Sequence, residues 1–240
     1  MATSVAVLVD GDYFVRLFRR KVDPTKSMSG TELAKLMWRY WILHADPLHD
    51  EQIYRIFFYD CPPLEDRFVH PVTDQNIDFS KTPQAIFRKE LHQALVKQPY
   101  VARRMGFLSK NDRQWKIADD RMHKSLLAGR IQANQIPAEK IVLHAPQKGV
   151  DMKLGLDIAT LTLKKQVNKI VLISGDSDFV PAAKLARAEG VHFVLDAMQA
   201  SINADLSEHI DGLSSHLGKF ASLIAKEHKS RTYPDMKGVM

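Results

Sequence analysis

Ser4-Val5-Ala6-Val7-Leu8-Val9 runs directly into Asp10-Gly11-Asp12, and Ile170-Val171-Leu172-Ile173 runs through Ser174-Gly175 into Asp176-Ser177-Asp178. Unbroken aliphatic runs of this length suit strands buried on both faces, which is the setting of a parallel sheet. Each run stops at acidic, turn-forming residues. Working outward, Ile53 to Tyr59 is a third such strand, halted by Asp60-Cys61-Pro62-Pro63, and Ile141–His144 and Val191–Leu195 read as further strands. Helices are predicted between them. Thr31–His44 places Leu33, Leu36, Met37, Tyr40 and Trp41 at helical spacing, with Ser29 or Thr31 as cap. Pro83–Lys97, Asp151–Lys165, Phe179–Glu189 and Leu206–Ala225 follow the same period. Strands alternating with helices predict an α/β domain, with a mostly parallel central sheet and helices on both faces in a three-layer, Rossmann-like sandwich.

The organisation reads as one domain over 1–225, elaborated at about 62–147, with a flexible polar tail over 226–240. Within the elaboration, Tyr100–Leu108 and Arg113–Ile117 predict a hairpin around Ser109-Lys110-Asn111-Asp112, and Ala118–Pro137 is partly helical. The 240 residues are 45% hydrophobic and 26% charged, the balance of an ordinary globular chain. A single cysteine, Cys61, excludes an intramolecular disulfide and a Cys-rich zinc site. Val5–Val9 is too short and lacks the cationic lead-in of a signal peptide, and no stretch is long enough to cross a bilayer. These features predict a cytoplasmic protein with no membrane partner. Oligomeric state is left open.

The net charge of +6 is unevenly spread: Lys81 to Arg130 holds twelve Lys/Arg against four Asp/Glu, so the basic excess lies in this segment. A basic face favours a polyanion such as a nucleic acid, and Arg103, Arg104, Lys110, Arg113 and Lys116 are the candidate contacts to it. Trp115, between Arg113 and Lys116, is placed either to stack on a base or to pack on the sheet.

The acids lie elsewhere. In an open α/β sheet, ligands bind beyond the carboxyl ends of the strands. Asp10, Asp60, Asp176 and Asp178 all stand at such ends, and Asp151 opens a helix whose inner face carries Leu154, Gly155 and Ile158. Gathered carboxylates repel one another unless a cation neutralises them, and an all-oxygen set suits Mg²⁺ or Mn²⁺. Such a site activates water against a phosphodiester without a nucleophilic side chain. Asp10, Asp151, Asp176 and Asp178 are the candidate metal ligands and catalytic residues, with Asp12 and Asp60 as further candidate ligands. Asp157 falls on the polar arc with Lys153, Thr160 and Lys164 and reads as a solvated charge paired to Lys153. Each acid also has a structural reading, as an N-cap or a turn residue. No phosphate-binding loop, G-x-G-x-x-G or G-x-S-x-G is present, and no small-molecule cofactor is expected.

Gln147-Lys148-Gly149-Val150-Asp151, a helix, and then Val171-Leu172-Ile173-Ser174-Gly175-Asp176-Ser177-Asp178-Phe179 resemble the NYN-domain family of PIN-like nucleases, including its bacterial LabA-like branch. Val7-Leu8-Val9-Asp10-Gly11-Asp12 and Phe179-Val180-Pro181 extend the likeness, which is strong over Gln147–Leu195. The resemblance implies a helix-sandwiched sheet and a Mg²⁺ or Mn²⁺ site for RNA cleavage at Asp10, Asp151, Asp176 and Asp178. It departs where many members carry an Asn soon after the first aspartate and this chain has Asp12-Tyr13.

Two other functions fit parts of the pattern. A non-catalytic RNA-binding module or adaptor with a vestigial metal site would use the same basic segment. A HAD-type phosphatase would use Asp10-Gly11-Asp12 and Asp176, with Lys153 as its lysine, but Phe14 stands where such enzymes carry Thr or Val.

Overall fold

The computed structural model describes residues 2–232. In chain order its elements are β1 (Thr3–Asp10), α1 (Gly11–Val22), α2 (Gly30–Trp41), β2 (Glu51–Asp60), β3 (Arg67–Val69), β4 (Asn76–Asp78) and α3 (Pro83–Leu95). Next come β5 (Val101–Met105), β6 (Phe107–Leu108), β7 (Gln114–Ile117), α4 (Asp120–Leu127), β8 (Ile141–His144) and β9 (Gln147–Lys148). The chain continues through α5 (Val150–Leu163), β10 (Lys169–Ile173), α6 (Val180–Ala188), β11 (His192–Asp196), α7 (Ala204–Glu208), β12 (Gly212–Leu213) and α8 (Leu217–Thr232).

Six strands form one parallel sheet in the order β12-β11-β10-β1-β2-β5. Val5 through Val9 are fully buried, as a run apolar on both faces requires. Their alternation divides the core. Val5, Val7 and Val9 pack with Phe14, Phe18, Met37, Trp41 and Phe220 on one face, and Ala6 and Leu8 with Leu154, Ile158, Ala183 and Leu206 on the other. Helices α1, α2, α3 and α8 therefore cover one side and α5, α6 and α7 the other, giving the expected three layers. Local signals hold at the helix starts. Ser29 and Glu32 close a capping box on α2, and Thr82 caps α3 ahead of Pro83.

From β1 the chain builds outward to β2 and β5, then returns to the other side of β1 for β10, β11 and β12. The order reverses between β1 and β10, so the crevice of the sheet opens at their carboxyl ends.

Two expectations are corrected. The stretches around 100–108 and 113–117 do not pair with each other. β5 joins the main sheet beside β2, while β6 pairs antiparallel with β9 and β7 with β8. The partners are supplied from residues 141–148, so the two short pairings make one interrupted ribbon. Leu206–Ala225 is not one helix but α7, the edge strand β12 and the start of α8. Of the expected tail over 226–240, residues to Thr232 continue α8, and 233–240 lie outside the described residues.

The ribbon packs on the β3–β4 hairpin. His70 Nε2 lies 3.2 Å from the Ala138 carbonyl and 3.3 Å from that of Ile141, and its ring meets Trp115 edge-on at 4.9 Å. Phe79 lies 6.5 Å from the same indole. Trp115 is thus a packing residue. Among the described residues, no helix is long and apolar enough to cross a membrane.

Candidate active site

β1 ends on Asp10, whose carboxylate caps α1 by accepting the Tyr13 N–H at 3.2 Å. Across the crevice, the Ser174 hydroxyl donates to the other Asp10 oxygen at 3.3 Å. Ser174 Oγ also accepts the Asp176 N–H at 3.2 Å, and Asp176 accepts the Asp178 N–H at 2.9 Å. The turn after β10 is therefore wired to the end of β1. Tyr13 presses on it from above: a Cβ on Gly175 would stand 2.7 Å from the Tyr13 ring, so only glycine leaves room. The Tyr13 hydroxyl donates to the Ala197 carbonyl at 2.7 Å, tying the end of β11 to the same point.

Asp151 arrives from the other layer. Gly149, at φ 77°, turns the chain from β9 into α5 in the left-handed region that glycine adopts freely. Gly149 occupies the N-cap position with no side-chain cap, and Asp151 is left exposed in the first turn.

Electrostatics couples these carboxylates pairwise through Asp151. Burial pushes Asp10 up to about 6, opposed by its bonds to Tyr13 and Ser174 and reinforced by the charges of Asp151 and Asp12. Burial also raises Asp151, with further repulsion from Asp176 and Asp178. Among the described residues, none of Asp10, Asp151, Asp176 and Asp178 has an ion-pair partner.

The other candidate acids stand differently. Arg88, from α3, reaches between Asp12 and Asp60: one nitrogen donates to Asp12 at 2.6 Å and another to Asp60. Asp60 is wholly buried and also bonds His92 Nε2 and the Cys61 N–H, each at 2.8 Å. Burial pushes its carboxyl up, but the His92 bond and the Arg88 charge outweigh that and hold it below the ordinary value. Asp60 is therefore the centre of a buried ion pair rather than an open ligand, and Asp12 is engaged by the same guanidinium. Asp157 is not a solvated charge either. It accepts from the Tyr59 hydroxyl at 2.8 Å and Arg104 Nε at 2.9 Å, while Lys153 bonds the Met105 carbonyl instead.

Of the predicted RNA contacts, two have partners within the fold, Arg113 half-buried and Arg104 itself exposed. Arg104 pairs with Asp157 and lies over the Phe57 ring at 5.2 Å. Arg113 pairs with Asp66, bonds the Ser109 carbonyl at 3.1 Å and covers Phe68. Arg103, Lys110 and Lys116 are exposed. The sequence reasoning passed over Ser174, Tyr13 and Arg88 as site residues. Ser174 lay inside the S-G-D-S-D motif and could have been found there; Arg88 had no motif to mark it.

Among the described residues, no three His, Cys, Asp or Glu side chains stand as a ready-made metal-binding group. The donor chemistry still fits a hard divalent cation: all oxygen, unpaired, and mutually repelling in its absence.

No curated protein matches the chain. A protein of unknown function from Vibrio parahaemolyticus is similar over 90% of this chain and 93% of its own, at 12% identity and a TM-score of 0.47. A structure of a Sir2 enzyme is similar over 97% of this chain and 94% of its own, at 10% identity and a TM-score of 0.36. The NYN domain model matches residues 70–217, a stretch that includes Asp151, Asp176 and Asp178 and begins after β1. With well over half of its length matched, the chain belongs to the NYN domain family of PIN-like nucleases.

Proposed function

We propose that this protein is a metal-dependent ribonuclease whose Asp10, Asp151, Asp176 and Asp178 hold Mg²⁺ or Mn²⁺ at the switch point of the sheet. One observation supports the reading: Asp151 repels Asp10, Asp176 and Asp178, and none of the four has an ion-pair partner among the described residues, whereas neighbouring Asp12, Asp60 and Asp157 are each tied to an arginine. A bound divalent ion would supply an activated water and stabilise charge on the phosphodiester. The chain's own residues set the geometry. Ser174 and the Tyr13 N–H each hold one oxygen of Asp10. Tyr13 also fixes the turn bearing Asp176 and Asp178. Gly149 brings Asp151 to the same edge from β9. A single domain over 1–225 would carry the site, in a reducing cytoplasmic setting that suits the buried free thiol of Cys61. The Gln147–Asp151 motif supports placement near the LabA-like branch.

The test is cleavage of labelled single-stranded RNA with Mn²⁺, Mg²⁺ or chelator. Cleavage should need metal and fall to background in Asp176→Asn and Asp151→Asn, while Asp157→Asn stays within a few-fold of wild type. Equal loss at Asp157 and Asp176 would overturn the ligand assignment. A second reading, an RNA-binding module without catalysis, is favoured by the lack of a ready-made metal group among the described residues. RNA binding with no cleavage under either metal would select it.

A further inference from the structure

Beside Asp12 a groove opens between α1 and α3 and runs to the 23–29 loop. Its volume, about 1150 Å³, exceeds that of ordinary small-molecule pockets and suits a length of polymer.

The groove's charges divide in an informative way. Its acids are used inside the fold. Asp23 accepts from Arg19 at 2.8 Å and from the Ser27 N–H at 2.8 Å. Glu90 accepts the Gly30 and Thr31 N–H groups, both at 3.2 Å, and so caps α2 from outside. Glu32 belongs to the capping box with Ser29, and Asp12 is held by Arg88. The lining cations Arg16, Arg20 and Lys26 are exposed and have no ion pair among the described residues. Arg16 and Arg20 lie one turn apart on α1. What remains unpaired along this groove is therefore positive. Its floor is apolar: Ile86 is 55% exposed, Met28 is half-buried beside it, and the half-buried Phe87 ring carries the Arg19 guanidinium over it at 4.2 Å.

Unpaired cations flanking an exposed apolar and aromatic floor match the alternation of phosphate and base in a single strand. A duplex offers phosphates but keeps its bases stacked away from such a floor. We infer that this groove is the track for single-stranded RNA, with Arg16, Arg20 and Lys26 on phosphates and a base on Ile86 beside the Arg19–Phe87 stack, feeding the strand toward Asp10. The choice of RNA and the direction of travel rest on the nuclease reading; the groove's chemistry does not.

The test measures binding in the full chain carrying Asp176→Asn, so that the strand stays intact. The probes are a short fluorescent single-stranded RNA, the same sequence as DNA, an RNA duplex and polyglutamate. Replacing Arg16, Arg20 and Lys26 together by Ala should weaken single-strand binding at least ~10-fold and flatten the slope of log K against log salt by about 2, at about 0.7 per lost phosphate contact. Ile86→Ser should weaken binding with the slope unchanged. Circular dichroism and thermal melts confirm that the variants, all at exposed or half-exposed positions, remain folded. The inference is overturned if the groove triple binds like its parent while Arg103→Ala/Lys110→Ala/Lys116→Ala loses binding. It is overturned equally if polyglutamate or the duplex competes as well as the single strand. Wild-type cleavage of RNA with unchanged binding in the groove triple sinks the track but leaves the nuclease. Groove-dependent binding without metal-dependent cleavage sinks the nuclease but leaves the track.

Discussion

Asp10 has two duties that pull against each other. As the cap of α1 it stabilises the fold, and as a buried carboxylate facing other acids it costs stability. Its carboxyl lies near 6 against an ordinary 3.8. Below about pH 4 it is protonated in folded and unfolded chains alike and carries no penalty. As pH rises toward 6 the unfolded chain ionises first, and the folded state loses on the order of 2 kcal/mol relative to it. Asparagine caps a helix as well as aspartate does. In metal-stripped protein, Asp10→Asn should therefore melt above wild type at about pH 7.5, and the gap should close at about pH 3.5. A gap of the same size at both would show that burial and like charge do not govern this residue. Arg88 presents the opposite case. It is the cation that lets Asp60 stay ionised without water, so Arg88→Ala should destabilise the fold by about 3–5 kcal/mol in urea titrations. Asp12→Ala, which removes the solvent-facing partner of the same arginine, should cost below about 1 kcal/mol. Comparable losses from the two variants would contradict the assignment of Asp60 as the buried centre.

Between elements, the decisive contact is α1 on the turn after β10. Gly175→Ala should cost about 1–3 kcal/mol, because its Cβ must push the Tyr13 ring aside. In Tyr13→Ala that cost should vanish, since the clashing ring is gone; a double-mutant cycle by thermal melts reads the coupling directly. Additive losses would mean that the ring does not seat the turn. This contact was invisible in the sequence, though both partners stood beside quoted motifs. Strands β1, β2 and β10 were legible because consecutive apolar residues announce burial on both faces. That Asp10 and the Asp176–Asp178 turn follow the carboxyl ends of two paired parallel strands was legible in the same runs. The β6–β9 and β7–β8 pairings were not legible. Ser109-Lys110-Asn111-Asp112 is a strong local turn signal, but the strand partners come from residues 141–148, and period-two patterning cannot choose between them. Asp157 was misread for a related reason: its helical arc is polar, yet β5 and β2 bring Arg104 and Tyr59 onto that arc. Two-residue β12, inside a helical-looking window, carries too little pattern to be read at all.

At the scale of the whole molecule, stability is unevenly distributed. Both apolar cores lie on the two faces of the six-stranded sheet and are built from its strands and covering helices. The ribbon and hairpin elaboration contributes little to them. Every residue of β7 and β8 is at least partly exposed, and no residue of α4 is buried. What holds this region is a set of local contacts: His70 on two carbonyls, Trp115 between His70 and Phe79, and Arg113 on Asp66 and Phe68. Contacts of that kind resist local opening far less than a packed core does. Yet β9 leads straight into Gly149 and Asp151, so opening of the ribbon reaches the candidate site. Native-state hydrogen exchange should therefore show the amides of 114–117 and 141–144 exchanging through a sub-global opening, at a lower free energy than those of 5–9 and 170–173. Trp115→Ala should lower the protection of the ribbon further while leaving the sheet unchanged, because the ring neighbours of the indole, His70 and Phe79, belong to the elaboration. If ribbon and sheet amides shared one opening free energy, and Trp115→Ala shifted both together, the elaboration would be part of the cooperative core, and control of Asp151 by ribbon opening would be ruled out.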